Sequence, residues 1–147
     1  MTRRELREHC FKMLFCADFY QEEDKEEQLK QYFQAPEEDE MRPEGVNRIL
    51  HRVELNEADE ETLYKRAEGI MKIVPELDKK IDEVAEGWKT RRMGKVELSI
   101  LRLAVYEMKY DEEVPEKVAI NEAVELAKKF GGSDAPAFVN GILAKLV

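Results

Sequence analysis

Residues 95–110 read KVELSILRLAVYEMKY, and their apolar side chains recur at helical spacing over a wide arc. The apolar positions are Val96, Ile100, Leu101, Ala104, Val105 and Met108. A helix that is apolar over so wide an arc is buried on most of its sides. The sequence therefore predicts a central helix against which the rest of the chain packs.

The residues after this stretch predict two further helices. Pro115 suits the first turn of one, whose apolar stripe is Ala119, Ala123, Leu126, Ala127 and Phe130. Gly131 and Gly132 are typical of a helix end. Ser133 or Asp134 can then cap a last helix that runs to about Leu146.

The residues before it predict four more. Thr2 and Glu5 have capping-box spacing, and the helix that they open carries the stripe Leu6, Cys10, Met13, Leu14 and Ala17. A short second helix contains Leu29, Tyr32 and Phe33, and a third runs from about Glu61 to Val74. Pro75 opens a fourth with the face Leu77, Ile81, Val84 and Trp88, and Trp88 is expected in the core where two subdomains join. No stretch alternates apolar and polar residues for long, so we expect an all-α fold of about seven helices.

Length and composition limit the class of protein. A chain of 147 residues fits one domain, or two small subdomains that share a core. No apolar run approaches the ~20 residues that span a bilayer, and the N-terminus lacks the apolar region of a signal peptide. These features predict a soluble protein of the cytoplasm.

Acidic residues are concentrated in the middle of the chain. The formal charge is +1 over residues 1–20, -10 over 21–61 and zero over 62–147. The segment of about 34–61 contains two prolines, a glycine and no early apolar period, so we predict an acidic loop there. Its carboxylates would repel phosphate, so a nucleic-acid site would lie elsewhere.

The N-terminus is basic in contrast, with Arg3, Arg4 and Arg7 predicted on the exposed side of the first two helical turns. Cations at a helix N-terminus oppose the macrodipole, at a cost of up to about 1 kcal/mol each. A solvated helix face and a functional cluster are both compatible with this pattern.

Catalytic and metal-binding patterns are not found. Cys10 and Cys16 fall on different faces of one helix and are predicted to be buried apolar thiols, and the two histidines have no metal-ligand spacing. There is no phosphate-binding loop and no nucleophile motif. We therefore expect neither enzymatic activity nor a metal or cofactor.

Three segments together resemble the NusB family of bacterial transcription antitermination factors. They are TRRELREHCFKML (2–14), WKTRRMGKVELSILRLAVYEM (88–108) and VPEKVAINEAVELAKKFGGSDAPAFVNGILAKL (114–146). The resemblance is collinear over nearly the whole chain and weak through residues 21–75. It implies one NusB-like domain (1–147) with two packed helical subdomains, about 1–74 and 75–147.

The resemblance also implies a function and partners. NusB proteins bind boxA, a single-stranded element of ribosomal RNA transcripts, together with the ribosomal protein NusE. The complex helps RNA polymerase read through terminators in ribosomal RNA operons. Some members form homodimers and others are monomers.

Family positions transfer to residues of this chain. The RNA-binding set comprises Arg3, Arg4, Arg7, Phe15, Lys128, Lys129, Asp134 and Phe138. The NusE-binding set comprises Glu97, Arg102 and Tyr106, predicted on the exposed face of the central helix. Arginine can bind phosphate and stack on bases, and aromatic rings stack on unpaired bases, which suits single-stranded RNA.

Several interpretations remain open at this stage. The cluster Lys89, Arg91, Arg92 and Lys95 can either stabilise a helix C-terminus or extend the RNA surface. Phe138 can be core or platform, whereas Phe130, Asn121 and Asn140 are expected in the interior and Gly141 at a close helix contact. An RNA-binding appendage of a ribosomal RNA methyltransferase and a purely protein-binding helical adaptor are the alternative functions.

Overall fold

Seven α-helices and two short 3-10 segments form the regular structure of residues 1–34 and 55–147, which are the residues that this computed structural model describes. The helices are α1 (Arg3–Ala17), α2 (Glu22–Gln31), α3 (Glu57–Lys72), α4 (Val74–Val84), α5 (Lys95–Tyr110), α6 (Glu116–Phe130) and α7 (Ala135–Ala144). The 3-10 segments are Tyr32–Gln34 and Thr90–Arg92. No strand occurs in these ranges, which confirms the all-α prediction.

Helix α5 lies at the centre of the fold, as its wide apolar arc predicted. It contacts α1, α3, α4, α6 and α7. Its buried apolar residues are Leu98, Ile100, Leu101, Leu103, Ala104, Val105 and Met108. Three polar side chains of α5, those of Ser99, Arg102 and Glu107, are buried with them. The division into subdomains 1–74 and 75–147 stays a prediction.

Local capping explains where the helices begin. Thr2 and Glu5 form the predicted capping box, and Pro75 lies in the first turn of α4. Helix α3 begins at Glu57, earlier than predicted, because the Asn56 side chain accepts a hydrogen bond from the Asp59 amide at 2.8 Å. The predicted acidic loop is therefore wrong over residues 57–61, and its residues 35–54 lie outside the described part of the chain.

Gly131 allows α6 and α7 to follow each other closely. A Cβ at this position would lie 2.5 Å from the Ala135 Cβ and 2.9 Å from the Ala127 carbonyl oxygen. A residue with a Cβ at this position would therefore collide with the Ala135 side chain and with the Ala127 backbone. This tight connection brings the last turn of α6 next to the first turn of α7.

Some residues expected in the interior lie at the surface. Trp88 is 56% exposed, because Ala85 leaves the helical conformation at the end of α4 and Gly87 turns the chain with φ 82°. Cys16, Asn121 and Asn140 are also exposed. A Cβ at Gly141 would point into open space, so the predicted close helix approach there is wrong. In each case apolar spacing along a helix did not reveal which face another element covers.

Within the described ranges, no helix combines the length and the apolar character needed to cross a membrane.

Candidate nucleic-acid interface

The first turns of α1 lie against α6, and Arg4 connects the two helices at the surface. Its Nε and Nη2 donate to the two Glu122 carboxylate oxygens at 3.0 and 2.7 Å. The Arg4 side chain is still 65% exposed. The hydrogen bond and charge attraction between the two side chains hold the pKa of Glu122 below its ordinary value and raise the pKa of Arg4. Arg4 therefore presents a fixed guanidinium to solvent with one edge already occupied.

Arg7 lies in the interior, so its predicted position on the exposed side of α1 is wrong. Its side chain is 10% exposed, and the Glu107 side chain that it contacts is 5% exposed. Arg7 Nε lies 2.9 and 3.1 Å from the Glu107 carboxylate oxygens, and its Nη1 lies 3.3 Å from Glu122 Oε1. The guanidinium joins α1 to α5 and α6, because these carboxylates face the side of α1 next to its apolar stripe.

Arg66 of α3 extends this buried network. Its Nη2 donates to Asp111 Oδ2 at 2.6 Å, and its Nη1 lies 4.0 Å from Glu107 Oε2. The hydrogen bond from Arg66 lowers the pKa of Asp111. Sequence reasoning missed this network, although Glu107 is the carboxylate that interrupts the apolar run of α5 and could have indicated a buried partner.

The last turn of α6 contributes two lysines to the same side as Arg4. Lys129 Nζ donates to the Glu8 carboxylate oxygens at 2.9 and 3.0 Å, and Lys128 Nζ lies 3.5 Å from Glu125 Oε1. Both lysine side chains are 59% exposed. A cleft of about 260 Å³ lies between α1 and α6 and is lined by Arg4, Arg7, Glu8, Glu122, Glu125, Leu126, Lys128 and Lys129. The exposed cations Arg3, Arg4, Lys128 and Lys129 are called the basic surface below.

Arg3 differs from the other members of the basic surface. It is exposed, and it forms no ion pair with a carboxylate of the described residues. It lines a larger cavity of about 450 Å³ next to the buried Arg7–Arg66 network. Its guanidinium is thus available to an external anion.

Another cleft, of about 300 Å³, lies between the start of α5 and the start of α7. It is lined by Trp88, Arg92, Met93, Gly94, Glu97, Asp134, Ala135 and Phe138 and is called the Trp88–Phe138 cleft below. Phe138 is half-buried there, so it is neither fully core nor fully exposed. The structure thus brings together Asp134 and Phe138, predicted for RNA, with Glu97, predicted for NusE.

Phe15 does not line that cleft. It is half-buried on α1, where its ring centroid lies 6.2 Å from that of Phe11 and 5.1 Å from that of Phe19. Phe130, which was predicted in the interior, is half-buried: its ring packs on Phe11 at 5.0 Å, and the Lys129 ammonium lies 5.5 Å from its ring centroid. The aromatic side chains of α1 and α6 therefore form one cluster, separate from Phe138.

The second basic cluster, Lys89, Arg91, Arg92 and Lys95, contains two paired cations and two that are unpaired within the described part of the chain. Lys89 Nζ donates to the carbonyl oxygens of Asp82 and Ala85 at 2.7 and 3.0 Å, which satisfies the C-terminal end of α4. Lys95 Nζ donates to Asp18 Oδ2 at 2.8 Å. Arg91 and Arg92 are exposed, and neither pairs with a carboxylate of the described residues. Two members are structural, and two are open to an external ligand.

The three residues predicted for NusE do not share one exposed face. Arg102 is 9% exposed; its Nε and Nη2 each donate to Asp78 at 2.8 Å, and its Nη1 donates to Asp18 at 3.0 Å. Tyr106 is half-buried and stacks on Tyr110 with 5.9 Å between ring centroids. The predicted exposure of Arg102 is wrong, because carboxylates of α4 and of the residue that ends α1 enclose its guanidinium.

Among the described residues, no group of three or more histidine, cysteine or carboxylate side chains could hold a metal ion.

The chain is similar to known proteins over nearly its whole length. A family model described as NusB family matches residues 4–147. Transcription antitermination protein NusB of Lachnoclostridium phytofermentans is 46% identical over 147 residues, which cover 100% of this chain and 99% of that protein. The NusB protein of Agathobacter rectalis is 44% identical over 147 residues, which cover 99% and 98% of the two chains.

Solved structures show the same fold. T. maritima NusB superposes with a TM-score of 0.77 at 29% identity, covering 99% of this chain and 90% of that one. A structure of antitermination factors NusB and NusE in complex with dsRNA matches with a TM-score of 0.68 at 22% identity, covering 99% and 97%.

Proposed function

The chain belongs to the NusB family, and on that premise we propose that it is an RNA-binding transcription antitermination factor. The observation that carries the proposal is the 46% identity, over the whole chain, to a protein named for antitermination. The proposed ligand is the single-stranded boxA element of ribosomal RNA transcripts. NusE is the proposed protein partner, and the RNA polymerase elongation complex in the cytoplasm is the proposed place of action.

The basic surface supplies the phosphate contacts in this proposal. Arg3 and Arg4 present guanidinium groups, each of which can donate two hydrogen bonds to one phosphate group. Lys128 and Lys129 add single positive charges nearby. Since Glu8, Glu122 and Glu125 already pair with three of these cations, RNA phosphates must compete with carboxylates for them. We therefore expect only moderate RNA affinity from the chain alone.

Joint binding with NusE compensates for that moderate affinity. Two adjacent protein surfaces that share one RNA raise each other's effective concentration, which can increase affinity by about 10²-fold or more. Glu97 and Tyr106 keep accessible surface and stay in the proposed NusE contact. Arg102 is assigned a positioning role, because it ties α5 to α4 and to Asp18.

The deciding experiment is a fluorescence anisotropy titration of labelled boxA RNA with the full chain, with and without NusE. We expect binding by the chain, tighter binding with NusE, and weaker binding by Lys128→Ala/Lys129→Ala. Lys79→Ala/Lys117→Ala is the matched control, because it also removes two exposed lysines, both outside the basic surface. Equal affinity with and without NusE would contradict the cooperative step. No RNA binding in either condition would favour a purely protein-binding adaptor.

A further inference from the structure

We propose that Trp88 is a base-stacking residue, and that the Trp88–Phe138 cleft receives one unpaired nucleobase of single-stranded RNA. This inference rests on the proposed function, because it places a further contact on the same ligand. It also gives Arg91 and Arg92 a role as phosphate contacts at the edge of the cleft.

The loop that carries Trp88 holds the indole at the surface. Gly87 has φ 82°, a conformation that residues with a side chain rarely adopt, and it directs the chain away from α4. Lys89 binds the carbonyl oxygens at the end of α4. The Thr90 amide donates to Asp82 Oδ1 at 2.7 Å, and Thr90 itself is buried. The indole is therefore exposed on a loop that is anchored on its C-terminal side.

The turn at Gly87 places Trp88 at the surface, where the described residues leave most of its ring uncovered. Its side chain is 56% exposed, although burial of an aromatic ring of this size would stabilise the fold. The Arg92 guanidinium carbon lies 5.9 Å from the ring centroid, at the outer limit of a cation–π contact, so most of the ring stays uncovered. An exposed, anchored aromatic ring is what a stacking platform requires.

The charges around the cleft select the part of the RNA that enters. Glu97 and Asp134 line the cleft, and their carboxylates would repel a phosphate group placed inside it. Arg92 lines the cleft and is exposed, and Arg91 is its exposed neighbour in sequence, so these two cations can hold the flanking phosphates. A neutral base inside and its phosphates outside satisfy both sets of charges. The volume of about 300 Å³ is at the lower end for ligand pockets and is consistent with one base rather than a larger ligand.

Trp88 is the only tryptophan in the chain, so intrinsic tryptophan fluorescence reports on this residue alone. The probe is a fluorescein-labelled boxA RNA of about 12 nucleotides, within the range that single-stranded sites cover. Unlabelled RNA is used for the tryptophan signal, and anisotropy of the labelled RNA measures affinity independently. Wild type, Trp88→Ala and Trp88→Phe are compared, with Tyr20→Ala as a control for loss of an exposed aromatic ring elsewhere.

We expect RNA to quench Trp88 fluorescence with the same midpoint as the anisotropy titration. Trp88→Ala should weaken binding by about five- to 150-fold, the range for one stacked base, with an unchanged salt dependence. Trp88→Phe should recover most of the loss, and Tyr20→Ala should bind as wild type. Thermal melts check that each variant is folded.

Two outcomes would overturn this inference while leaving the proposed function intact. One is RNA binding by anisotropy with unchanged Trp88 fluorescence and normal binding by Trp88→Ala. The other is a fluorescence change caused by NusE and not by RNA, which would assign the cleft to the protein partner. If the wild-type protein showed no RNA binding at all, the proposed function itself would fail. The anisotropy titration of wild type detects this without the tryptophan signal.

Discussion

Arg7 and Glu107 form a buried ion pair between α1 and α5, in which Arg7 Nη2 lies 2.9 Å from Glu107 Oε2 and Arg7 Nε contacts both carboxylate oxygens. The three arginines of the N-terminus therefore differ in role. Arg7 holds helices together, whereas Arg3 and Arg4 stay at the surface. Substitutions in this segment must therefore be interpreted residue by residue.

Arg7→Ala should destabilise the protein strongly. The variant removes the hydrogen bonds from Arg7 to Glu107 and leaves Arg66, 4.0 Å from Glu107, as a neighbouring cation, so we expect a loss near the lower end of the range of about 3–5 kcal/mol for a broken buried pair. Urea unfolding measures the loss, and Arg3→Ala is the control, expected within about 0.5 kcal/mol of wild type. An Arg7→Ala variant that unfolds at the wild-type urea concentration would show that the pair contributes little.

Arg3→Ala/Arg4→Ala should flatten the salt dependence of RNA binding and leave the fold intact. Each phosphate contact on single-stranded RNA contributes about -0.7 to the slope of log affinity against log salt, so the loss of both changes the slope by roughly 1.4. Lys79→Ala/Lys117→Ala removes the same charge from exposed positions outside the basic surface. The phosphate assignment fails if both double variants keep the wild-type slope.

Glu8→Gln should increase RNA affinity at low salt. Glu8 pairs with Lys129 at 2.9 Å, and an exposed pair of this kind contributes about 0.2–1 kcal/mol, so its removal should tighten binding about 1.4- to 5-fold. Glu112→Gln makes the same change in net charge at an exposed residue outside the basic surface. Equal gains in the two variants would indicate a general charge effect instead of release of Lys129.

Phe15→Ala tests whether a half-buried ring also contacts RNA. Loss of its packing on Phe11 and Phe19 should reduce the free energy of unfolding by about 2 kcal/mol, roughly half the loss for a fully buried phenylalanine. If Phe15 also stacks on a base, the folded variant should bind RNA more weakly with an unchanged salt slope. Phe19→Ala is the control for an exposed neighbour. Normal RNA binding by folded Phe15→Ala would exclude the RNA contact.

Stability should fall as the pH is lowered below about 4, near the ordinary pKa of carboxylates. Hydrogen bonds from Arg4 and Arg66 hold the pKa of Glu122 and the pKa of Asp111 below their ordinary values. A lowered folded-state pKa contributes stability above the unfolded-state pKa, and that contribution is lost as the pH falls through the folded-state pKa. Urea unfolding from pH 7 downward measures this loss, which Glu122→Gln should reduce. An identical pH profile for Glu122→Gln would contradict the assignment.

The sequence by itself determined the helical elements and the family. Thr2, Pro75 and Pro115 lie at the starts of α1, α4 and α6, where they were expected, because caps and helix-starting residues act on their own first turn. The wide apolar arc of α5 predicted its central position for an equally local reason. Asn56 is a similar cap in front of α3, and it was missed because the residues before Glu61 showed no apolar period.

Only the tertiary structure decided which charges and rings are exposed. Arg4 and Arg7 lie one turn apart, yet Arg7 is buried because Glu107, far along the chain, lies opposite it in space. Arg102 is enclosed by Asp78 and Asp18 in the same way. Trp88 continues the apolar spacing of α4 but follows the helix end, so its ring lies at the surface. Helical periodicity gives the direction of a side chain around its own axis, whereas burial depends on which other helix packs against that side.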